Sequence, residues 1–176
     1  METTRRAALH LLSAAAVMAP LVAPAVATTA ESPPPGAGPA RDRLAVQRAA
    51  RDWIRAFKSG DFEALMALYE PDAYVALHGQ PVLRGIEAVR AYFEPRVGRG
   101  QVEFLLDIER IDVRGGIAHL ISGYWFTLDL PGQPRYEDAG RSLLIYRRTA
   151  RGQWRIHVDI DQDTPDIVFP PPPTAR

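Results

Sequence analysis

The 176-residue chain contains no cysteine. That excludes disulfides, thiolate metal sites and cysteine nucleophiles. It also lacks a charge excess, since 21 Lys and Arg balance 21 Asp and Glu. Without a basic surplus there is no electrostatic case for nucleic acid or an anionic membrane as partner. No Gly-x-Ser-x-Gly or His-Glu-x-x-His motif occurs, Gly152 has no phosphate-loop context, and no internal repeat is visible. The familiar serine-hydrolase and zinc-peptidase signatures are therefore missing. What is present is ordinary for a chain that buries a core: 47% apolar and 24% charged residues.

The two ends read differently from the middle. Arg5 and Arg6 begin a charged start, Ala7 to Val26 is rich in Ala, Leu and Val, and Ala25-Val26-Ala27 offers small residues for cleavage. Residues 1–27 are expected to be a signal peptide, and the mature chain an exported, periplasmic or secreted protein without stable membrane insertion. Thr4-Arg5-Arg6-Ala7-Ala8-Leu9 resembles a twin-arginine signal, but Ala8 stands where that motif usually has Phe. The general and twin-arginine routes both stay open. Residues 28–41 read as a Pro/Gly-rich linker and 166–176 as a Pro-rich tail without fixed structure. The domain is expected over 42–165.

Within it, periodicity orders the elements. Val46, Ala49, Ala50, Trp53, Ile54 and Phe57 form one apolar stripe, so Asp42 to Lys58 reads as a helix. Gly60 can end it and Asp61 can cap a second helix running to about Tyr69. A short hairpin follows over residues 72–84. Ile86, Val89 and Phe93 mark a third helix. From Val102 onward the pattern alternates. Val102, Phe104, Leu106 and Ile108 share one parity while Ile111 and Val113 share the other, which predicts a β-bulge near Glu109-Arg110. Arg114-Gly115-Gly116, Pro131 to Pro134 and Thr149 to Gln153 supply turns between four long strands. The class is α+β: three N-terminal helices on a strongly bent antiparallel sheet.

Several runs resemble a known family. They are Trp53 to Leu65, Leu68-Tyr69-Glu70-Pro71-Asp72-Ala73 and Leu83 to Arg90, followed by Ile117-Ala118-His119, Gly140-Arg141-Ser142-Leu143 and Gly152-Gln153-Trp154-Arg155-Ile156, with Asp159 and Asp163. Their order resembles the SnoaL-like and ketosteroid-isomerase-like domains of the nuclear transport factor 2-like superfamily. The later pieces are also similar to the association domain of calmodulin-dependent protein kinase. The resemblance implies a cone-shaped fold, a pocket between helices and concave sheet, and commonly a homodimer. It also implies where isomerase residues would fall. The oxyanion-donating tyrosine falls on Trp53, the general base on Leu77, and the second acid on Leu143 or Leu144. All three roles are absent, so steroid isomerisation by that arrangement is not expected.

Other residues remain for chemistry. The resemblance points Arg155, His157, Asp159 and Asp161 inward, and with them His119, Ile121, Gly123 and Trp125. His157, Asp159 and His119 would then be catalytic, with Trp53, Tyr69, Trp125 and Asp161 binding a small-molecule ligand. A histidine beside a carboxylate makes an acid–base pair, and a buried aspartate with a raised pKa makes a base. Alternation alone gives the opposite orientation: Trp154, Ile156, Val158 and Ile160 against the core, with His157, Asp159 and Asp161 in solvent. A dimer through the convex face reconciles the two, and the choice stays open. No metal or cofactor is expected; side chains two apart on a strand lie nearly 7 Å apart, too far for three to share one ion. His78 reads as a surface residue by the Gly79 turn, and Arg141 and Asp138 as a structural pair. A non-catalytic dimeric binding or assembly module is the rival to an isomerase-like or cyclase-like enzyme.

Overall fold

The computed structural model describes residues 38–172, all within one compact unit. The proposed signal peptide and most of the linker lie outside the described residues. Among the described residues no helix is long and apolar enough to cross a membrane.

Helix α1 spans Ala40–Ser59 and buries Val46, Ala49, Ala50, Ala56 and Phe57. Gly60 ends it at φ 76°, where an L side chain would be strained. The Gly60 N–H donates to Phe57 O and the Asp61 N–H to Ala56 O, the paired bonds of a Schellman stop. Asp61 then accepts from the Ala64 N–H at 3.0 Å and starts α2, Phe62–Met66. This helix stops short of the expected Tyr69. The Leu68 carbonyl accepts instead from the Ile156 N–H, and Tyr69 opens strand β1, Tyr69–Ala76. Strand β2 is Leu83–Arg84 and helix α3 is Ile86–Phe93, which buries Val89 and Phe93.

Four long strands complete the fold: β3 Gln101–Arg114, β4 Ile117–Asp129, β5 Tyr136–Arg148 and β6 Trp154–Gln162. The sheet order is β2-β1-β6-β5-β4-β3. Neighbours are antiparallel except β1 and β6, which run parallel. The α+β class and the bent sheet with N-terminal helices are as the sequence predicts. So is the first bulge: Ile108 pairs with Ser122 and Arg110 with Ile121, leaving Glu109 as the extra residue.

A second bulge was not legible from the sequence. Tyr146 pairs with Ile156 and Ile145 with Val158, so His157 is the extra residue on β6. One extra residue reverses the facing of everything after it. Trp154 and Ile156 are buried on the inner face, and Asp159, three positions past Ile156, is buried as well. Neither single-parity reading of this strand holds, because the strand changes phase midway.

The inner face of β4 carries Ala118, Leu120, Ser122 and Tyr124, all buried. The expected inward direction of His119, Ile121, Gly123 and Trp125 is therefore corrected: these odd positions face outward. Trp125 packs there with Ile167, Leu105, Ala139 and Phe169, and its Nε1–H donates to Val168 O at 2.9 Å. The packed chain thus continues past residue 165.

Candidate functional site

Between α1, α3 and the inner face of β3 to β6 lies a cavity of about 430 Å³. Its walls are aromatic. Trp53 stacks on Phe57 with centroids 5.2 Å apart and meets Phe104 edge-on at 5.5 Å. Phe104 stacks on Tyr124, and Phe126 lies edge-on to Tyr136. Leu77 and Leu144 also line the cavity and make it greasier there. The polar lining includes Asp138, Asp159 and Asp161.

Asp159 sits at the end of a hydrogen-bonded chain. The Trp53 Nε1–H donates to the Tyr69 hydroxyl at 2.8 Å, and the Tyr69 O–H donates to Asp159 Oδ2 at 3.2 Å. Three elements build this chain: the inner stripe of α1, the first residue of β1, and β6 just after its bulge. Burial pushes the Asp159 carboxyl up to about 7, the charge on Asp161 pushes the same way, and the Tyr69 hydrogen bond opposes both. Burial, then the Asp159 charge, holds the Tyr69 phenol well above its ordinary range. A carboxyl that titrates near neutrality inside an apolar cavity can both take and return a proton.

A second polar group stands beside it. The His78 N–H donates to Asp161 Oδ1 at 2.6 Å, and the His78 ring Nδ1 lies 3.1 Å from the same oxygen. The ring's Nε2 lies 3.5 Å from Asp138 Oδ1 and 3.3 Å from Asp163 Oδ1. Burial disfavours charge on His78, but Asp161, Asp138 and Asp163 together raise its pKa. Asp138 is shifted up, first by burial, while His78 pulls it down and Asp161 and Asp163 push it further up.

The expected site residues divide accordingly. Trp53, Tyr69, Asp159 and Asp161 come together, with Tyr69 reaching the cavity through Asp159. His157 does not join them. As the bulge residue it turns outward, placing Nδ1 3.2 Å from Glu70 Oε2 and 3.7 Å from Asp72 Oδ1, beside Arg147. His119 is outward too, its Nε2 3.2 Å from Asp112 Oδ2, which also accepts from Arg110 Nε. Trp125 belongs to the outer cluster. Arg141 pairs with Glu109 and Asp166 rather than with Asp138.

Sequence reasoning gives Asp138 and His78 only structural or surface roles, and treats Tyr124 as a candidate aromatic lining with core packing as the default. Asp138 and Tyr124 share the inward parity of β5 and β4, so a correct phase for those strands would have placed both at the site. His78 depends on the parallel pairing of β1 with β6, in which Ala76 lies opposite Ile160. No local pattern announces that contact.

Among the described residues, two sets of potential metal ligands converge. They are Glu70, Asp72 and His157 on the outer face, and His78, Asp138 and Asp163 at the cavity edge. Arg147 already pairs with Glu70 and Asp72 in the first. His157, Asp159 and Asp161 could not share an ion, since the bulge sends His157 to the other face.

Known structures share this architecture. A conserved protein from Planctomyces limnophilus is 23% identical with a TM-score of 0.66, over 73% of this chain and 97% of that one. A ketosteroid isomerase-like protein from Erwinia carotovora atroseptica is 19% identical with a TM-score of 0.59, over 69% and 95%. A Novosphingobium aromaticivorans protein provisionally named a scytalone dehydratase is 18% identical with a TM-score of 0.65, over 70% and 85%. At these identities the likeness speaks for the fold alone. No curated protein matches the sequence. The SnoaL-like domain profile matches residues 39–158, and the chain belongs to that family.

Proposed function

We propose that this protein binds a small, largely apolar molecule in its aromatic cavity and moves a proton on it through Asp159, as an isomerase or dehydratase does. One observation carries the reading: a buried carboxyl, raised to about 7, faces an aromatic cavity and is held by Tyr69 and Trp53. As a carboxylate, Asp159 takes a proton from carbon; as the acid it returns that proton to another position. Tyr124 is the neutral donor in the same lining, its hydroxyl kept protonated by burial and then by Asp161 and Asp138. Trp53 and Tyr69 are positioning residues that fix which Asp159 oxygen is occupied. The dehydratase and isomerase names of similar folds agree with this class of chemistry. His157 and His119 have no part in it, because neither reaches the cavity.

The test uses a small cyclic enone in deuterated water. The wild-type protein should exchange its acidic C–H hydrogens, and Asp159→Asn should lower the rate by about 100-fold or more, the scale of a lost general base. Unchanged exchange in Asp159→Asn would remove the mechanism. Export belongs to the same proposal and rests on residues 1–27. Fractionation of cells carrying the full chain checks it; retention of the uncleaved chain in the cytoplasm would overturn it.

A further inference from the structure

The cavity is lopsided in charge. Asp138 and Asp161 line it, and Asp163 stands at its edge beside His78. One imidazolium faces these three carboxylates, so the group keeps two negative charges when all are ionised. Arg96 also lines the cavity, its guanidinium 3.9 Å from the Tyr92 ring centre and donating to the Tyr92 carbonyl. Neither partner neutralises it, so its charge leaves this end of the cavity one charge negative.

Three tyrosines surround the same carboxylates. Tyr92 comes from α3, Tyr124 from β4 and Tyr136 from β5, and all three line the cavity. Burial raises each phenol, and the charges of Asp138 and Asp161 then act on all three rings; Arg96 opposes them at Tyr92. The geometry places rings and carboxylates together: the Tyr124 hydroxyl lies 3.5 Å from Asp138 Oδ1 and 3.5 Å from the Nδ1 of His78, and the three rings share the cavity lining with Asp138 and Asp161. Aromatic faces attract cations, the more so when water is excluded. A carboxylate ligand would meet like charge here, and a neutral hydroxyl would leave most of the negative charge unanswered.

We propose that the cavity selects an organic cation: a substituted ammonium on an aromatic or alicyclic body, seated among Tyr92, Tyr124 and Tyr136 and facing Asp138 and Asp161. This rests on the reading of the cavity as a ligand site and names the class of ligand it takes. Aromatic walls formed by Trp53, Phe104 and Phe126 accept the body, while the tyrosine–aspartate end accepts the charge. Asp159, deeper along β6, is left free to act on the body rather than on the ammonium.

The test is calorimetric titration of the full chain with three matched probes. They are (3-hydroxyphenyl)trimethylammonium, its uncharged carbon isostere 3-tert-butylphenol, and 3-hydroxybenzoate. The cation should bind about tenfold or more tighter than the isostere, the size of a desolvated cation–π contact, and the benzoate weakest. Asp138→Asn with Asp161→Asn should lower the cation's affinity several-fold more than the isostere's, the part left over being the contact with the rings. Tyr124→Leu should lower the cation selectively, and serves as a second variant should the double change unfold the protein. Equal binding of isostere and cation, or tightest binding of the benzoate, overturns the inference while the apolar cavity stands. Binding of none of the three overturns both.

Discussion

At the scale of the residue, Asp159 is a carboxyl that burial moves far from its ordinary range. Its folded pKa of about 7 lies above the value of 3.8 expected of an unfolded aspartate. The folded state therefore holds the proton more tightly. The contribution to stability is full below pH 3.8 and is lost as pH rises towards 7. Each pKa unit corresponds to about 1.4 kcal/mol, so the loss is on the order of 4 kcal/mol at most. Asp159→Asn keeps the shape and removes the titration. Urea unfolding between pH 4 and 8 should show wild-type stability falling relative to the variant, with the difference levelling off above about pH 7, following the linkage sign. A parallel pair of curves would contradict the assignment. By the same logic any base-catalysed rate should climb through neutral pH as Asp159 ionises. His157→Ala and His119→Ala should leave cavity binding within twofold of wild type, roughly the scatter expected for groups that touch no ligand; binding of the three probes measures this.

At the scale of the element, legibility followed the range of the interaction. The Phe57-Gly60-Asp61 boundary was readable because each part is local: a stripe, a left-handed stop and a cap. Asp61→Ala should cost about 1 kcal/mol, as N-cap losses do, seen as a lower urea midpoint with unchanged slope. The bulge at Glu109 was readable because apolar residues flank it on both sides and their parity flips. The bulge at His157 was not. On its far side the inward residues are Asp159 and Asp161, which mimic a solvent-facing pattern, so alternation ran on past the break. The end of α2 failed for another reason. Tyr69 fits the helical spacing of Phe62, Leu65 and Met66, but pairing with Ile156 claimed it for β1. Register with a distant strand outweighed local periodicity.

At the scale of the whole molecule, the family resemblance gave the layers but turned β4 by one position. The segment after β6 was unforeseen. Asp166 pairs with Arg141 at 2.8 Å, and Ile167 and Phe169 cover Trp125. These contacts lie on the outer sheet face, where a homodimer was expected to pack. Ending the chain after Pro165 should uncover Trp125. Since Trp53 is part-buried and Trp154 buried, a red shift in tryptophan emission would report chiefly on Trp125. Unchanged emission and melting temperature would show the segment to be idle.

The extra residue at His157 lets one strand serve two masters: its first half is wall, its second half is reagent. Substituting letters along β6 would adjust either half separately. Adding or dropping a single residue would swap insides for outsides over the whole second half at once. Relatives of this chain could therefore gain or shed their acidic floor through a change of length, with hardly a change of composition.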